Sequence, residues 1–318
     1  AAPDPLPDHE INTIVNSARS RRIKKEDAPL KVVDFKDMWQ SFVDSLKDEE
    51  NKLSILFPSI DKIFKGKLRS RFGVVLGYGG AKKSLFAQNV CYRNIMAGNR
   101  CLYSNMEMGL SDLTSRFIDI AIYGFNKALA SQFIENEYRA GKDISGSIST
   151  LAPMFTDRLL VSENSNMTAD KYDELITRLT EERGRIDILI VDGMSMMGGT
   201  GTEVERANEH SKQLKELAKK WNIFVMPIVH VSRGDDLTTR DLTRRARGSE
   251  KIVDNGDFFI TFSQIKDGND FMPRRGYYHL WDKRGTGLRV EKSWHFDNES
   301  LVMTEDDVFF KPDEYEDF

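Results

Sequence analysis

Residues 77–84 read Gly-Tyr-Gly-Gly-Ala-Lys-Lys-Ser, which nearly matches the phosphate-binding loop (P-loop) pattern G-x-x-x-x-G-K-[ST]. Gly77 opens the pattern and Lys83 and Ser84 close it, but Lys82 stands where the second glycine belongs. In such a loop backbone N–H groups face a triphosphate, the lysine reaches its β/γ oxygens and the hydroxyl ligates Mg²⁺. The residues predicted to bind nucleotide are Gly77, Gly79, Gly80, Ala81, Lys82, Lys83, Ser84 and Leu85.

The segments around this loop favour a real nucleotide site. The apolar run 72–76 before it is typical of a buried strand, and residues 85–97 after it contain no proline or glycine and end at Gly98. Strand, loop and helix in this order direct the positive end of a helix at a phosphate. The alternative is an ordinary glycine-rich turn with two lysines in solvent.

Length and composition set broad bounds on the protein. With 318 residues, 40% of them hydrophobic, the chain can form one large α/β domain with appendages or two small domains. No apolar run is long enough to span a membrane, and the first residues do not resemble a signal peptide, so we expect a cytoplasmic protein without membrane contact. The chain does not begin with methionine, which suggests a processed chain or a piece of a longer one. Cys91 and Cys101 lack metal-ligand spacing and are predicted to be buried thiols.

Charge is unevenly distributed along the chain. Residues 304–318 contain seven acids and one lysine, a balance of −6, so the rest of the chain carries +2 of the net −4. Basic clusters occur at 19–25 and 240–247. A solvated charged surface is the commoner explanation for either cluster alone.

The order of apolar and amphipathic segments predicts an α/β fold. Residues 1–51 are predicted to form a charged leader with a short helix, 52–303 an α/β unit, and 304–318 an acidic tail. Strands and helices alternate in the middle unit, which implies a mostly parallel sheet with flanking helices, and 277–305 is typical of antiparallel strands. The predicted strands are 72–77, 101–106, 158–162, 186–192, 223–230, 257–262 and 277–282, and the predicted helices are 84–97, 111–123, 168–183 and 203–220.

Two acids follow predicted strands. Asp192 ends the apolar run 186–191, the Walker B arrangement in which a carboxylate at the sheet edge helps to hold Mg²⁺; a turn-capping aspartate is the alternative. Glu107 follows a strand that we expect to neighbour the P-loop strand, where it could polarise the water that attacks a γ-phosphate. The alternative is an acid placed before a helix whose N-cap is Ser111.

His230 ends another predicted strand, 223–229. A polar residue at that edge could sense the γ-phosphate by hydrogen bonding. Lone histidines are more often structural, so the sequence alone does not decide between these two roles.

Together these residues resemble the RecA-like motor domain of DnaB-type replicative helicases, including phage primase–helicases. The resemblance covers about residues 52–300. It rests on the P-loop, Ser-Asn-Met-Glu-Met-Gly at 104–109, the segment 188–197 with Asp192, Leu-Lys-Glu-Leu-Ala at 214–218, the segment 230–233, and Asp-Lys-Arg-Gly-Thr-Gly at 282–287.

The resemblance implies a RecA-like P-loop NTPase that uses ATP or another NTP with Mg²⁺. Lys83 would bind phosphate, Ser84 and Asp192 would hold the metal, Glu107 would be the catalytic carboxylate, and His230 would couple nucleotide state to DNA contact. Lys283 and Arg284 would reach a neighbouring subunit's nucleotide as the arginine finger, in a homo-oligomer expected to be a hexameric ring. Two loops would face single-stranded DNA in the channel, 198–201 and 234–250, with the contacts Gly199, Thr200, Arg233, Arg240, Arg244, Arg245 and Arg247.

Three departures from the family pattern leave alternatives open. Lys82 bears on the hydrolysis rate more than on nucleotide binding, and we expect a short leader in place of the family's helical N-terminal domain. The tail ends in the aromatic Phe318, like tails that recruit partners, and a disordered, solubilising tail is an equally good explanation. We expect an ATP-dependent, ring-forming helicase motor of a phage or bacterial replisome, with primase, a loader or single-strand-binding protein as further partners. A RecA-like recombinase or mediator filament and a non-hydrolysing nucleotide-binding adaptor or loader are the competing hypotheses.

Overall fold

The structure, a computed structural model, describes Phe35 and residues 52–122, 130–164, 166–231, 250–267, 270–296 and 301–306. The chain divides into two units, Ala1–Glu50 and Asn51–Phe318. All described residues except Phe35 belong to the second unit. The predicted leader and most of the predicted acidic tail lie outside the described residues.

Within the described part of the second unit, nine strands form one mixed sheet. They lie in the order β3-β2-β4-β5-β1-β6-β7-β8-β9. The first six strands in this order pair in parallel, and β6, β7, β8 and β9 pair antiparallel. The strands are β1 (Gly73–Gly77), β2 (Cys101–Asn105), β3 (Leu159–Ser162), β4 (Ile188–Asp192), β5 (Phe224–His230), β6 (Phe258–Asp267), β7 (Asp270–Trp281), β8 (Arg289–Phe296) and β9 (Met303–Glu305).

Helices connect the parallel strands, as the alternating pattern predicts. The helices are α1 (Pro58–Phe64), α2 (Lys83–Met96), α3 (Leu110–Ala121), α4 (Ser131–Arg139), α5 (Ser145–Phe155), α6 (Ala169–Arg183), α7 (Glu203–Trp221) and α8 (Glu250–Asn255), and a short 3₁₀ turn spans Met194–Met196. The helices α1, α4, α5 and α8 were not predicted from the sequence. None of the described helices is both long and apolar enough to cross a membrane.

Two hydrophobic cores cover the two faces of the sheet. Along β4, Ile188 and Ile190 point into the core that contains α2, whereas Leu189 and Val191 point into the core that contains α7. This alternation places Asp192 on the α2 side, because side chains two residues apart on a strand share a face. Cys91 and Cys101 are free, buried thiols, as predicted.

Buried asparagines attach α2 to segments far from it in the chain. Asn94 exchanges two hydrogen bonds with the backbone of Ser54, at 2.8 and 3.0 Å. Asn89 donates to the Leu301 carbonyl at 3.1 Å and accepts from the Met303 N–H at 3.0 Å. The helix that follows the P-loop is therefore held by residues from both ends of the described unit.

Two details differ from the sequence-based expectations. The strand β2 does not neighbour β1, since β4 and β5 lie between them. The strand β9 ends at Glu305, one residue beyond the predicted start of the tail at 304. The Glu305 carboxylate accepts a hydrogen bond from the Ser59 N–H at 2.9 Å. This acid is half-buried and packed, and so differs from a solvated tail residue.

Candidate functional site

A cleft of about 410 Å³ opens where the parallel strands end at the P-loop. Gly77 is the last residue of β1, and Gly79, Gly80 and Ala81 form the turn into α2. The residues that line the cleft are Gly80, Lys82, Lys83, Ser84, Leu85, Glu107, Arg116, His230, Phe296 and Leu301. Open parallel sheets bind ligands at this edge.

Lys82 adopts the conformation that explains why a glycine is usual at its position. It is the N-cap residue of α2 and has φ 64° and ψ 23°, in the left-handed region that strains a residue with a Cβ atom. Its ammonium lies 5.6 Å from the ring centroid of Phe296, at a distance suited to a cation–π interaction. The Lys82 side chain is thus directed at an aromatic ring on the wall of the cleft.

Lys83 is buried at the start of α2 and folds back over the loop. Its ammonium donates to the Tyr78 carbonyl at 2.8 Å and lies 3.3 Å from His230 Nδ1. Burial lowers the pKa of Lys83 to about 8, against the opposing effect of the Glu107 and Asp192 carboxylates. A buried cation beside a helix N-terminus is suited to an anionic ligand.

Ser84 and Asp192 form a direct pair. The Ser84 hydroxyl donates to Asp192 Oδ1 at 2.9 Å, and Tyr103 donates its phenolic proton to Asp192 Oδ2 at 2.6 Å. Burial raises the pKa of Asp192, although both hydrogen bonds oppose this shift. A buried carboxylate beside a hydroxyl provides the hard oxygen ligands that Mg²⁺ prefers, so these residues fit the predicted metal.

Glu107 contacts His230 by passing over the end of β4. Its Oε1 lies 2.8 Å from His230 Nε2. The residue beneath is Gly193, where an added Cβ would lie 3.2 Å from Glu107 Cγ, and its φ of +107° also disfavours other residues. The hydrogen bond with His230 lowers the pKa of Glu107. Because Lys83 can only donate, His230 Nδ1 accepts and Nε2–H donates, so the network assigns one neutral tautomer.

The predicted N-cap at Ser111 is wrong. The helix α3 begins at Leu110 with Gly109 as its N-cap residue, which makes no side-chain capping bond. Ser111 lies inside the first turn, and Glu107 precedes the N-cap residue by two positions, so the alternative of an acid placed before a helix still applies to Glu107.

Lys283 and Arg284 lie far from the cleft of their own chain. The register pairs Trp281 with Phe259 near the start of β6, at the sheet edge opposite the P-loop. There Lys283 donates to the Val253 carbonyl and Arg284 to the Asp254 carbonyl, both at 2.6 Å, at the end of α8. The structure therefore does not bring the predicted finger residues together with the other site residues of the same chain.

The predicted DNA contacts are only partly described. Gly199 and Thr200 are exposed in the loop 198–201, which precedes the Thr202 N-cap of α7. The five arginines predicted to bind DNA lie outside the described residues: Arg233, Arg240, Arg244, Arg245 and Arg247.

Several contacts were missed by the sequence reasoning. Tyr103 and Gly193 position Asp192 and Glu107, and Arg116, Phe296 and Leu301 line the cleft. Tyr103 shares a strand face with Asn105, which pairs with Asp192 in the register of β2 and β4. If the pairing of β2 with β4 had been known, the alternation of side chains along β2 would have identified Tyr103 as a neighbour of Asp192.

Comparison with known proteins agrees with this geometry. The family described as DnaB-like helicase C terminal domain matches residues 52–261, more than half of the chain. The replicative DNA helicase DnaB of a Nostoc species is 23% identical over 253 residues, which cover 74% of this chain and 27% of that protein. The chain thus spans about a quarter of this curated relative.

Two solved structures share the fold. A DnaB-like replicative helicase, determined in a study of its interactions with primase, superposes with a TM-score of 0.68 at 13% identity, covering 93% of this chain and 73% of that chain. The ATPase domain of a second protein superposes with a TM-score of 0.69 at 15% identity, covering 86% of this chain and 99% of that chain. These matches confirm the predicted RecA-like α/β fold, and the chain belongs to the DnaB-like helicase C-terminal domain family.

Proposed function

We propose that this protein is the ATP-driven motor of a ring-forming replicative DNA helicase. It hydrolyses nucleoside triphosphate at subunit interfaces and translocates on single-stranded DNA. The observation that supports this most strongly is the convergence of Lys83, Ser84 and Glu107 on one cleft, with Asp192 hydrogen-bonded to Ser84, in a member of the DnaB-like family. Family membership favours a helicase over a recombinase filament.

Five residues at the cleft have a role in this proposal. Lys83 and the first N–H groups of α2 bind the phosphates, and Ser84 and Asp192 hold Mg²⁺. At this position the metal would supply positive charge beside the phosphoryl group. Glu107 orients and polarises the attacking water, and the Nε2–H group of His230 fixes the position of that carboxylate.

The position of Lys283 and Arg284 supports a shared site. The five residues of β1 separate the two edges of the sheet by about 13 Å, so these cations do not reach their own nucleotide. In a homo-oligomer they complete the site of a neighbouring subunit and stabilise the charge of the transition state. A hexameric ring is the assembly that we propose.

The remaining partners follow from the family and from charge. We propose that the loop 198–201 and the arginines within 234–250 bind the DNA backbone, which requires flexible glycines and cations but no base-specific contacts. Because a related DnaB-like helicase interacts with primase, primase is a candidate partner, along with a loader or single-strand-binding protein. The proposed location is the cytoplasm, of a bacterial host if the protein is encoded by a phage.

ATP hydrolysis with and without single-stranded DNA tests this function. We expect DNA-stimulated turnover that is lost in Lys83→Ala and retained in Lys62→Ala, a control at an exposed lysine of α1. Bound nucleotide without any turnover would contradict the motor and favour the non-hydrolysing adaptor. Unwinding of a forked duplex, in place of strand exchange, then distinguishes helicase from recombinase.

A further inference from the structure

Asn105, the last residue of β2, is a buried polar residue at the base of the turn that carries Glu107. It is only 2% exposed. Its Nδ2 group donates to the Met108 carbonyl at 2.7 Å, and its Oδ1 accepts from the Met108 N–H at 3.3 Å. One side chain thus closes the turn 105–108 by pairing both backbone groups of a single residue.

The residue on the other side of Glu107 is held as well. The Met106 N–H donates to the Asp192 carbonyl at 3.2 Å, and the strand register pairs Asn105 with Asp192. The two neighbours of Glu107 are therefore both attached to the paired ends of β2 and β4. This attachment defines the point from which the carboxylate leaves the backbone.

The turn is also attached to the P-loop helix. Gln88, a fully buried residue of α2, donates to Met108 Sδ at 3.6 Å. Gln88 lies one helical turn after Ser84, on the helix that begins with Lys83. Met108 is thus the residue through which the turn contacts both β2 and α2.

Glu107 projects from this turn into the nucleotide cleft. Its side chain is partly exposed, and its Oε1 lies 2.8 Å from His230 Nε2. Because little of a partly exposed carboxylate is fixed by packing, the backbone of the turn decides where it can reach. A displacement of about 1 Å in a reacting group can slow a reaction about 100-fold. The bonds that hold the turn therefore bear on the rate of hydrolysis.

We propose that Asn105 is a positioning residue that holds Glu107 in the geometry for hydrolysis through its two hydrogen bonds to Met108. This inference rests on the proposed function, in which Glu107 polarises the attacking water. The role requires a donor and an acceptor on one short side chain, which an aspartate or an apolar residue does not offer. Loss of both bonds leaves the phosphate-binding residues of α2 in place, so nucleotide binding persists while the chemical step slows.

Binding and hydrolysis by Asn105→Leu test this role, because leucine has nearly the same shape but no polar group. The probe of binding is adenylyl imidodiphosphate, a non-hydrolysable ATP analogue, with Mg²⁺. We expect kcat per binding site, counted by calorimetry, to fall about 30-fold while the Kd of the analogue changes less than about twofold. In Asn105→Ser one hydroxyl can make one of the two bonds, so its kcat should lie between the two. A Kd that rises as much as kcat falls would overturn the inference.

Asn99→Leu is the matched control. Asn99 is a buried asparagine just before β2, at the end of the strand away from the cleft, and it donates to the Lys52 carbonyl at 3.4 Å. Its replacement should lower stability in urea unfolding and leave kcat per binding site unchanged. A loss of kcat as large as that of Asn105→Leu would show that any polar defect around β2 slows hydrolysis, and would overturn the inference.

A double-mutant cycle with Glu107→Gln tests the route of the effect. If Asn105 acts through the Glu107 carboxylate, Asn105→Leu should slow the native protein about 30-fold but the residual single-turnover hydrolysis of Glu107→Gln less than about twofold. Equal factors in the two backgrounds would show that Asn105 acts through another group, and would overturn the inference.

The outcomes separate this inference from the proposed function. A native kcat per binding site in Asn105→Leu would refute the positioning role alone. An undiminished rate in Glu107→Gln would refute the catalytic role of that carboxylate and this inference with it. Should Asn105→Leu fail to fold, the same cycle with Asn105→Ser decides the question.

Discussion

Glu107 and His230 are hydrogen-bonded at 2.8 Å although they follow strands that are not neighbours in the sheet. The bond crosses the end of β4 above Gly193. Because this position has no side chain, the carboxylate reaches the centre of the nucleotide cleft from a strand three places away from β1. The geometry of the proposed catalytic carboxylate therefore depends on a residue that itself bears no functional group.

Gly193→Ala should impair hydrolysis through this contact. The new Cβ would lie 3.2 Å from Glu107 Cγ and displace the carboxylate, so we expect about a 100-fold loss of kcat. Strain at a positive φ should also cost about 1–2 kcal/mol of stability. Gly98→Ala is a matched control, since Gly98 has φ +94° but no neighbour within 4 Å of an added Cβ. Urea unfolding measures the stability of each variant, and an ATPase assay measures its hydrolysis rate. Equal hydrolysis rates in the two variants would contradict the role of Gly193.

Lys82→Gly should change the protein only modestly. Glycine removes the strain of a left-handed residue but also removes the cation–π contact with Phe296, so we expect stability within about 1 kcal/mol of the native protein. Hydrolysis should change by no more than about threefold. Lys82→Ala, which keeps the strain and loses the contact, should be the less stable variant in thermal unfolding. Hydrolysis that is detectable only in Lys82→Gly would instead indicate an inactive native P-loop.

Nucleotide binding should take up a proton at alkaline pH. Burial lowers the pKa of Lys83 to about 8 in the free protein, whereas bound phosphate favours the charged ammonium and raises that pKa. Above pH 8 the free protein has lost this proton and must regain it on binding, so Kd should rise up to about tenfold per pH unit. Calorimetry at pH 9 in two buffers of different ionisation enthalpy measures the uptake. It should disappear in Lys83→Met and persist in Lys82→Met; uptake that survives in Lys83→Met would assign the proton to another group.

Arg284→Ala and Lys83→Ala proteins should complement each other. Each variant alone should lack activity, but in mixed rings some interfaces combine an intact Lys83 with an intact Arg284. We expect part of the ATPase activity to return on mixing, measured after sedimentation has confirmed that rings form. The same experiment with Lys283→Ala identifies which cation acts as the finger. No recovery at any mixing ratio would argue against a shared site.

Arg244→Ala and Arg247→Ala should weaken binding of single-stranded DNA at low salt. Each lost phosphate contact should reduce the slope of log K against log[salt] by about 0.7. Nucleotide affinity should stay unchanged, because these residues are assigned to the channel rather than to the cleft. Arg183→Ala, at an exposed arginine that pairs with Asp157, serves as the control. DNA affinity equal to that of the native protein would remove both residues from the channel.

The sequence predicted those parts of the site that depend on residues close together in the chain. A strand, loop and helix around Lys83 and a carboxylate at the end of β4 follow from apolar runs and turn residues that lie close together in the chain. The order of strands in the sheet depends on contacts between distant segments, and the prediction that β2 lies beside β1 was therefore wrong. The path of Glu107 over Gly193 and the contact of Tyr103 with Asp192 both require that order.

The missed elements have weak local patterns. The helix α5 contains four serines and threonines and an internal proline, Pro153, and none of the residues of α4 is buried. The apolar periodicity of α5 is therefore poor, and α4 packs no side chain into a core, although both are helical in the folded chain. The pairing of β7 to β9, in contrast, follows the antiparallel pattern predicted for 277–305.

The hydrogen bonds that Asn94 and Asn89 of α2 make with distant segments have a consequence for the order of folding during synthesis. Ser54 is made before the P-loop, but the partners of Asn89, at Leu301 and Met303, leave the ribosome more than two hundred residues after it. At a translation rate of roughly 5–20 residues per second, the helix that presents Lys83 waits for at least ten seconds without its last support. A nascent chain therefore acquires the full support of its phosphate-binding helix only after the segment around Met303 has been synthesised.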